Sequence, residues 1–330
     1  MKNIAVVLLN WNGLDLLKQF LPIVEEFSSE AVIYVADNNS TDGSKQFVNE
    51  NFPAVKWIQL SDNFGYAKGY NEALKQVDKE YICLLNTDIE VTQNWLQPIL
   101  DLFEKDDSIG IIQPKILDFK NKEYFEYAGA AGGFIDKYGF PFCRGRIFDT
   151  LEKDENQYQT QEIFWASGAC FFIRNSVFKQ LNGFDDSFFA HQEEIDLCWR
   201  AFNQNVKVYY CNESLVYHIG GATLKKSNPQ KTFLNFRNSL FMLYKNLPKE
   251  KRFGIIFKRL CLDGLAGVKL FLSLQPLHTF AIIKAHFAYY GNLSKLKNKQ
   301  VKNPKSNYFY IDNIVFDYFL KGKKKFNQLK

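Results

Sequence analysis

Residues 81–88 read Tyr81-Ile82-Cys83-Leu84-Leu85-Asn86-Thr87-Asp88, an uncharged apolar run followed by a polar cluster. A run of that length suits a strand buried on both faces, as in a parallel sheet. The same order recurs upstream. Apolar runs at 4–9, 31–36 and 55–60 lead into Asn10-Trp11-Asn12, Asp37-Asn38-Asn39-Ser40 and Ser61-Asp62-Asn63-Phe64-Gly65. Helix-length segments at 14–27, 44–51, 66–77 and 95–104 separate or follow these runs. Thr41-Asp42-Gly43 and Ser61-Asp62-Asn63 supply cap chemistry before two of them. Strand–helix repetition predicts an α/β fold: a Rossmann-like, mostly parallel sheet with helices on both faces. Ligands bind such sheets beyond the carboxyl ends of the strands. Strands that all end in Asn or Asp therefore predict a polar ligand site along one edge.

Several classes drop out. No G-x-G-x-x-G follows the first run and no G-x-x-x-x-G-K-[ST] occurs, which argues against NAD and against a P-loop. No haem is expected. The six cysteines form no C-x-x-C pair and several sit in apolar runs, which fits a reducing cytoplasm. The opening run is short and lacks a small-residue cleavage site, so it reads as a strand and not as a signal peptide. No uncharged apolar stretch reaches the roughly 18 residues of a membrane span.

With 330 residues, 46% hydrophobic and 23% charged, the chain can hold about two domains. Residues 1–221 carry 19 Lys+Arg against 32 Asp+Glu, a balance of −13, whereas residues 222–330 carry 22 against 4, a balance of +18. The predicted division is a ligand-binding domain over 1–221 and a basic, helical region over 222–330. Apolar segments at 253–275 and 277–291, split at Pro276 and dotted with single cations, match helices that lie on a membrane surface. Lys321 and Lys323-Lys324-Lys325 would add attraction to an anionic leaflet. The competing expectation is that these helices pack on the first domain or form a homodimer. Nucleic acid is not expected, since no recognised binding motif accompanies the charge.

Beyond residue 105 short strands and Gly-rich turns occupy 108–165, and a buried strand is expected over 165–173. Helices are expected over 175–181 and from the His191–Arg200 segment to Asn203, and strands over 206–211 and 214–217. Asp88 and His218 each follow a strand, and together with diphosphate oxygens they would suit Mg2+ or Mn2+. Glu193, Glu194 and Asp196 cluster at a helix start in apolar company. Burial and repulsion there raise a carboxyl pKa and suit a general base. The spacing of His191-Gln192-Glu193-Glu194 is not that of a zinc-protease helix, and Ser167-Gly168 lacks the G-x-S-x-G elbow.

Taken in order, these pieces resemble glycosyltransferase family 2, the inverting nucleotide-sugar enzymes with the GT-A fold. The matching pieces are Val7-Leu8-Leu9-Asn10-Trp11-Asn12-Gly13, Asp37 to Ser44, Asn63-Phe64-Gly65-Tyr66-Ala67, Leu84-Leu85-Asn86-Thr87-Asp88, Ser167-Gly168-Ala169, Gly183-Phe184-Asp185, Glu193 to Arg200, and His218-Ile219-Gly220-Gly221. Phe236-Arg237-Asn238-Ser239 with Lys245-Asn246 is similar to the rhamnosyltransferase-like members that build bacterial surface polysaccharides.

The resemblance implies roles. Asn10, Asn12, Asp37, Asn39, Asn63, Gly65, Asn71 and Asn86 would line the nucleotide-sugar pocket, and Arg237 would meet the diphosphate. Asp88 matches the last acid of the D-x-D motif, with Asn86 in place of the first, and His218 would be the second metal ligand. Glu194 stands where the catalytic base is commonly Asp. Glu193, Asp196 and Gly168 would hold the acceptor or orient the base. The implied partners are a nucleoside-diphosphate sugar and a saccharide or lipid-linked saccharide acceptor. The implied place is the cytoplasm or the inner face of the cell membrane. Two other readings remain open at this point: a nucleotidyltransferase on a similar sheet, and a non-catalytic sugar-binding or assembly protein.

Overall fold

The computed structural model describes residues 3–220 and 228–329; the domain boundary at 221/222 and Gly221 lie outside the described residues. Strands and helices alternate as β1 (Ile4–Asn10), α1 (Leu14–Glu26), β2 (Ala31–Asp37), α2 (Ser44–Asn51), β3 (Lys56–Gln59), α3 (Gly65–Leu74) and β4 (Tyr81–Asn86). β5 (Ile89–Val91), α4 (Gln97–Lys105) and β6 (Ile109–Asp118) follow. All of β1 except Leu9 is buried, as an uncharged run between neighbours should be. α1 buries Leu17, Phe20, Leu21 and Val24, one stripe at helical spacing.

Four short strands then form a small antiparallel sheet: β7 (Gly133–Ile135), β8 (Pro141–Cys143), β9 (Arg146–Ile147) and β10 (Thr150–Leu151). β11 (Gln161–Ile163), β12 (Cys170–Arg174), α5 (Asn175–Gln180), α6 (Glu193–Asn203) and β13 (Lys207–His218) complete the first part. The main sheet runs β11-β13-β6-β12-β4-β1-β2-β3, with β5 also paired to β13. β3, β2, β1 and β4 are parallel, β12 is antiparallel between β4 and β6, and β13 returns parallel to β6. Apolar clusters lie on both faces, one around Leu17, Trp95 and Phe103, the other around Tyr70, Phe184 and Trp199.

Two local expectations need correction. The strand expected over 165–173 begins only at Cys170. Residues ahead of it are held out of the ladder: the Ser167 amide donates to Gln113 Oε1 (2.8 Å) and Trp165 Nε1 to the Phe134 carbonyl (2.9 Å). The strands expected at 206–211 and 214–217 are one strand, β13, with a register shift between Cys211 and Leu215. A bulge absorbs the polar Asn212-Glu213 without ending the pairing.

The C-terminal region is α7 (Pro229–Asn246), α8 (Lys249–Leu272), α9 (Pro276–Gly291), α10 (Leu293–Lys297) and α11 (Ile314–Phe319). Pro276 opens α9 at its first turn, where its missing N–H costs nothing. The chain then returns to the small sheet. Asp136, fully buried, accepts from the amides of Tyr138 (2.8 Å), Phe140 (2.9 Å) and Ile314 (3.1 Å).

Candidate active site

Register sets the carboxyl edge of the sheet. Asn10 lies opposite Asp37, Asp37 opposite Gln59, and Leu9 opposite Asn86. The buried Asp37 carboxylate accepts from Asn10 Nδ2 (2.9 Å), the Ser40 amide (2.8 Å) and Gln59 Nε2 (3.1 Å). Asn10 Oδ1 and Asn38 Oδ1 are buried acceptors with no donor. Orphaned acceptors of this kind are costly unless a ligand supplies the hydrogen. Asn12 and Asn39 sit exposed on the rim in left-handed conformations, φ +50° and +61°. Asn12 Oδ1 accepts from the Thr41 amide (2.8 Å) and so joins the loops after β1 and β2.

Asn63 Oδ1 accepts from the Gly65 amide (3.0 Å). Gly65 has φ +72°, and a Cβ there would come within 2.7 Å of the Phe189 ring. Only glycine lets that loop approach. The Phe189 carbonyl in turn accepts from the amides of Tyr66 (3.0 Å) and Ala67 (3.3 Å), which caps α3.

Asp88 and His218 meet where β4 and β13 end. His218 Nε2 lies 3.1 Å from Asp88 Oδ1, and its Nδ1 lies 3.3 Å from Glu126 Oε1. Burial alone would lower the imidazole pKa, but Glu126 and Asp88 outweigh it and push it up to about 10. Without a cation the ring is therefore an imidazolium between two carboxylates at neutral pH, and ligating a metal would release its Nε2 proton. Among the described residues no three His, Cys, Asp or Glu side chains form a metal cage. The pair nevertheless fits one: bonds of about 2.1 Å at right angles put adjacent donors about 3 Å apart, and mixed imidazole and carboxylate donors suit Mn2+. Glu126 on the far nitrogen is the carboxylate that commonly orients a ligating histidine.

The acid cluster opens α6. Glu193 is buried, Glu194 is half-buried, and each has an Oε2 without a hydrogen-bond partner. Burial and then the Glu194 charge hold the Glu193 carboxyl well above its ordinary value, while burial pushes Glu194 up to about 7. Both carboxyls are thus raised by burial, and a charge on one disfavours a charge on the other. Gly168 sits beside them: a Cβ there would lie 3.8 Å from the Glu194 carboxyl carbon and 3.2 Å from the Tyr66 hydroxyl. That hydroxyl donates to the Gly168 carbonyl (2.7 Å), and burial keeps the phenol protonated.

The loop before α6 is bent through three left-handed non-glycine residues, Phe189 (φ +65°), His191 (+70°) and Gln192 (+72°). Such conformations persist only where surroundings impose them. Here α7 does so. The buried Asn238 Nδ2 faces the carbonyls of Phe188 (3.0 Å), Ala190 (2.9 Å) and His191 (2.7 Å).

Three residues that the resemblance set around ligands are engaged elsewhere. Arg237 Nη2 donates to the Ser187 and Phe188 carbonyls (3.0 Å each), so its guanidinium supports the same loop. Asn71 brackets the 183–186 turn, donating to the Phe184 carbonyl and accepting from the Phe184 amide (2.9 Å each). Asp196 is fully buried and accepts from Lys245 Nζ, Asn246 Nδ2 and Arg200 Nε (2.9 Å each). Glu126 is a neighbour of the site that no sequence signal singled out, whereas Tyr66 and Asn238 lie in segments that carry the resemblance without a role of their own.

The mixed sheet thus brings together a polar carboxyl edge, a paired carboxylate and imidazole, and a raised carboxyl on a neighbouring helix. The model of the family described as "Glycosyl transferase family 2" matches residues 6–181, more than half of the chain, and the chain belongs to that family. It is similar to the low-salt glycan biosynthesis hexosyltransferase Agl10 of Haloferax volcanii, 22% identical over 72% of this chain and 74% of that one. It is also similar to the N-acetylglucosaminyl-diphospho-decaprenol L-rhamnosyltransferase of Mycobacterium tuberculosis, 24% identical over 58% and 67%. Among solved structures, a mannosyltransferase from Pyrobaculum calidifontis with GDP-Man and Mn2+ superposes with a TM-score of 0.55 at 12% identity, covering 88% of each chain. GalNAc-T7 with UDP, GalNAc and Mn2+ gives 0.60 at 18% identity, over 74% of this chain and 48% of that one.

Proposed function

We propose that this glycosyltransferase moves a sugar, with inversion, from a nucleoside diphosphate to an acceptor hydroxyl in cell-surface polysaccharide assembly. The observation that carries the reading is the half-buried Glu194, pushed up to about 7 beside Gly168 and Tyr66. A base with a pKa near the working pH is best placed to accept the acceptor's proton.

The nucleoside occupies the edge lined by Asn10, Asn38 and Asp37, where the unpaired Oδ1 atoms of Asn10 and Asn38 take its N–H or O–H groups. Asp88 and His218 would hold a divalent cation, whose chemistry is to neutralise the leaving diphosphate. Glu194 receives the proton as the acceptor oxygen attacks the anomeric carbon from the face opposite the diphosphate. One C–O bond forms, the other breaks, and the nucleoside diphosphate leaves. Glu193 and Gly168, which lie beside Glu194, would hold the acceptor or orient the base. Arg237 acts through the 187–188 carbonyls and not on the diphosphate.

The likeness to a hexosyltransferase and to a rhamnosyltransferase named for a diphospho-decaprenol substrate supports a hexose or deoxyhexose donor and a saccharide acceptor carried on a lipid. A thermal-shift screen of dTDP-, UDP- and GDP-sugars with and without Mn2+ tests the reading. A true donor at 100 times its Kd stabilises by about 2.7 kcal/mol. Silence across the panel would remove the nucleotide-sugar assignment.

A further inference from the structure

The hairpin of α8 and α9 has two unlike faces. Its inner face buries Ile255, Ile256, Ala281, Ile282, Ala285 and Tyr289. Arg259 fastens it to the catalytic body, donating to Asp263 (2.7 Å) and to the Tyr138 carbonyl (3.0 Å), with its guanidinium 3.8 Å from the Phe140 ring centre. α7 packs on both helices of the hairpin and on α6, so hairpin and base helix form one connected stack.

The outer face is apolar and uncovered. Phe253, Phe257, Leu265, Val268 and Leu272 form one helical stripe, each more than half exposed. The turn carries Leu274, 89% exposed, and α9 continues with Leu277, Phe280 and Phe287. Twelve of the eighteen large apolar side chains exposed among the described residues lie between Phe253 and Tyr290. At 150–250 Å² for an aromatic side chain, this is on the order of 1,000 Å², where a soluble monomer exposes a few hundred. α11 adds Phe316 and Phe319, the latter beneath Lys269 at 4.5 Å.

Charge decides what covers it. Lys258, Lys269 and Lys284 stand exposed among the apolar residues, and Lys321 and Lys325 lie just beyond α11. Residues 222–330 hold four acids. Asp263 is buried against Arg259, Asp312 pairs with Lys137 and Asp317 with Lys321, leaving Glu250 at the start of α8. A two-fold dimer would set this face against itself, lysine against lysine, with no acids to pair. Among the described residues no helix is long and apolar enough to cross a membrane. We infer that this face docks on an anionic bilayer surface, with α8 and α9 lying in the headgroup plane and the Leu274 turn inserted. Its benefit to the enzyme rests on the lipid-carried acceptor proposed above; the surface itself does not.

Flotation of the full-length protein tests this, with vesicles of phosphatidylcholine alone and of phosphatidylcholine mixed equally with phosphatidylglycerol. The protein should float with the acidic vesicles at low salt and release as salt shortens the screening length to ~8 Å or less. Phe257→Glu combined with Leu274→Glu should lower the bound fraction about tenfold with the thermal midpoint unchanged. Leu274→Trp, at a nearly fully exposed position, should show blue-shifted emission on acidic vesicles only. Failure to float at low salt, undiminished flotation of the double variant, or an unshifted tryptophan overturns the inference. So does a dimer in sedimentation that the double variant abolishes, which assigns the face to a second copy. Sugar turnover with a soluble acceptor is read separately, so loss of docking and loss of the transfer reading are distinguishable.

Discussion

Lys245 on α7 places its ammonium 2.9 Å from both oxygens of Asp196, two residues beyond the proposed base on α6. The same ammonium lies 2.6 Å from Asp185 Oδ2. Burial works against the Asp185 charge, but Lys245 and then Lys299 hold its carboxyl well below the ordinary value. The C-terminal region is thus tied to the helix that carries the proposed base. Lys245→Met leaves two buried carboxylates without their shared cation. The expected loss is about 3–5 kcal/mol of stability, read from denaturant unfolding. Because the Asp185 carboxyl is depressed, its contribution is full above pH ~4 and fades as pH falls further. Wild type and Lys245→Met should therefore converge in strongly acidic buffer.

The two glutamates predict a pH profile. Glu194 is the member that titrates near 7, so kcat/KM should climb with pH through about 7. Burial and the Glu194 charge hold the Glu193 carboxyl well above its ordinary value. Glu193→Gln should therefore leave the limb where it is. A limb that vanishes in Glu193→Gln and survives in Glu194→Gln would exchange the roles.

Metal dependence follows from one shared ion. Asp88→Ala and His218→Ala should each weaken Mn2+-dependent donor binding, and the double variant should lose less than the sum of the two. Glu126→Gln removes the carboxylate on His218 Nδ1 and should cost about 10–100-fold in Mn2+ affinity, measured calorimetrically. Strict additivity of the Asp88 and His218 losses would separate them from a common site.

Asn238 is the support of a strained loop. Asn238→Ala strips its amide from three carbonyls around the left-handed Phe189, His191 and Gln192 and should cost about 1–3 kcal/mol. Asn238→Asp should be worse, since it sets a carboxylate against those carbonyls. Both should lower kcat with donor Kd nearly unchanged. A donor Kd that rises in step with the loss of kcat would place the defect in the nucleotide edge.

The strand-end residues Asn10, Asp37 and Asp88 were legible because position at the end of an apolar run fixes the sheet edge. The acid cluster at 193–196 was legible for a similar reason, as a helix start. Glu126 carries no local signal, and the roles of Tyr66 and Asn238 carry none although their segments carry the resemblance: the Tyr66 bond to Gly168 spans 102 residues and that of Asn238 to Phe188 spans 50. For Asp196 and Arg237 the sequence reveals the charge but not the partner, since an ion that packs a helix and one that meets a ligand have the same composition. The apolar hairpin was visible as two helices divided at Pro276. Which of its faces is covered depends on Arg259 reaching Tyr138, a contact between distant segments.

The central claim is that Glu194 serves as the base of an inverting transfer. The most direct measurement follows the product's anomeric configuration by proton NMR, with wild type and Glu194→Gln supplied with the donor found by thermal shift and a saccharide acceptor. The account predicts an inverted product from wild type. It predicts a rate lower by about 10²–10⁴ in Glu194→Gln, with donor binding intact. A retained configuration, or near-equal turnover by Glu194→Gln, would contradict it.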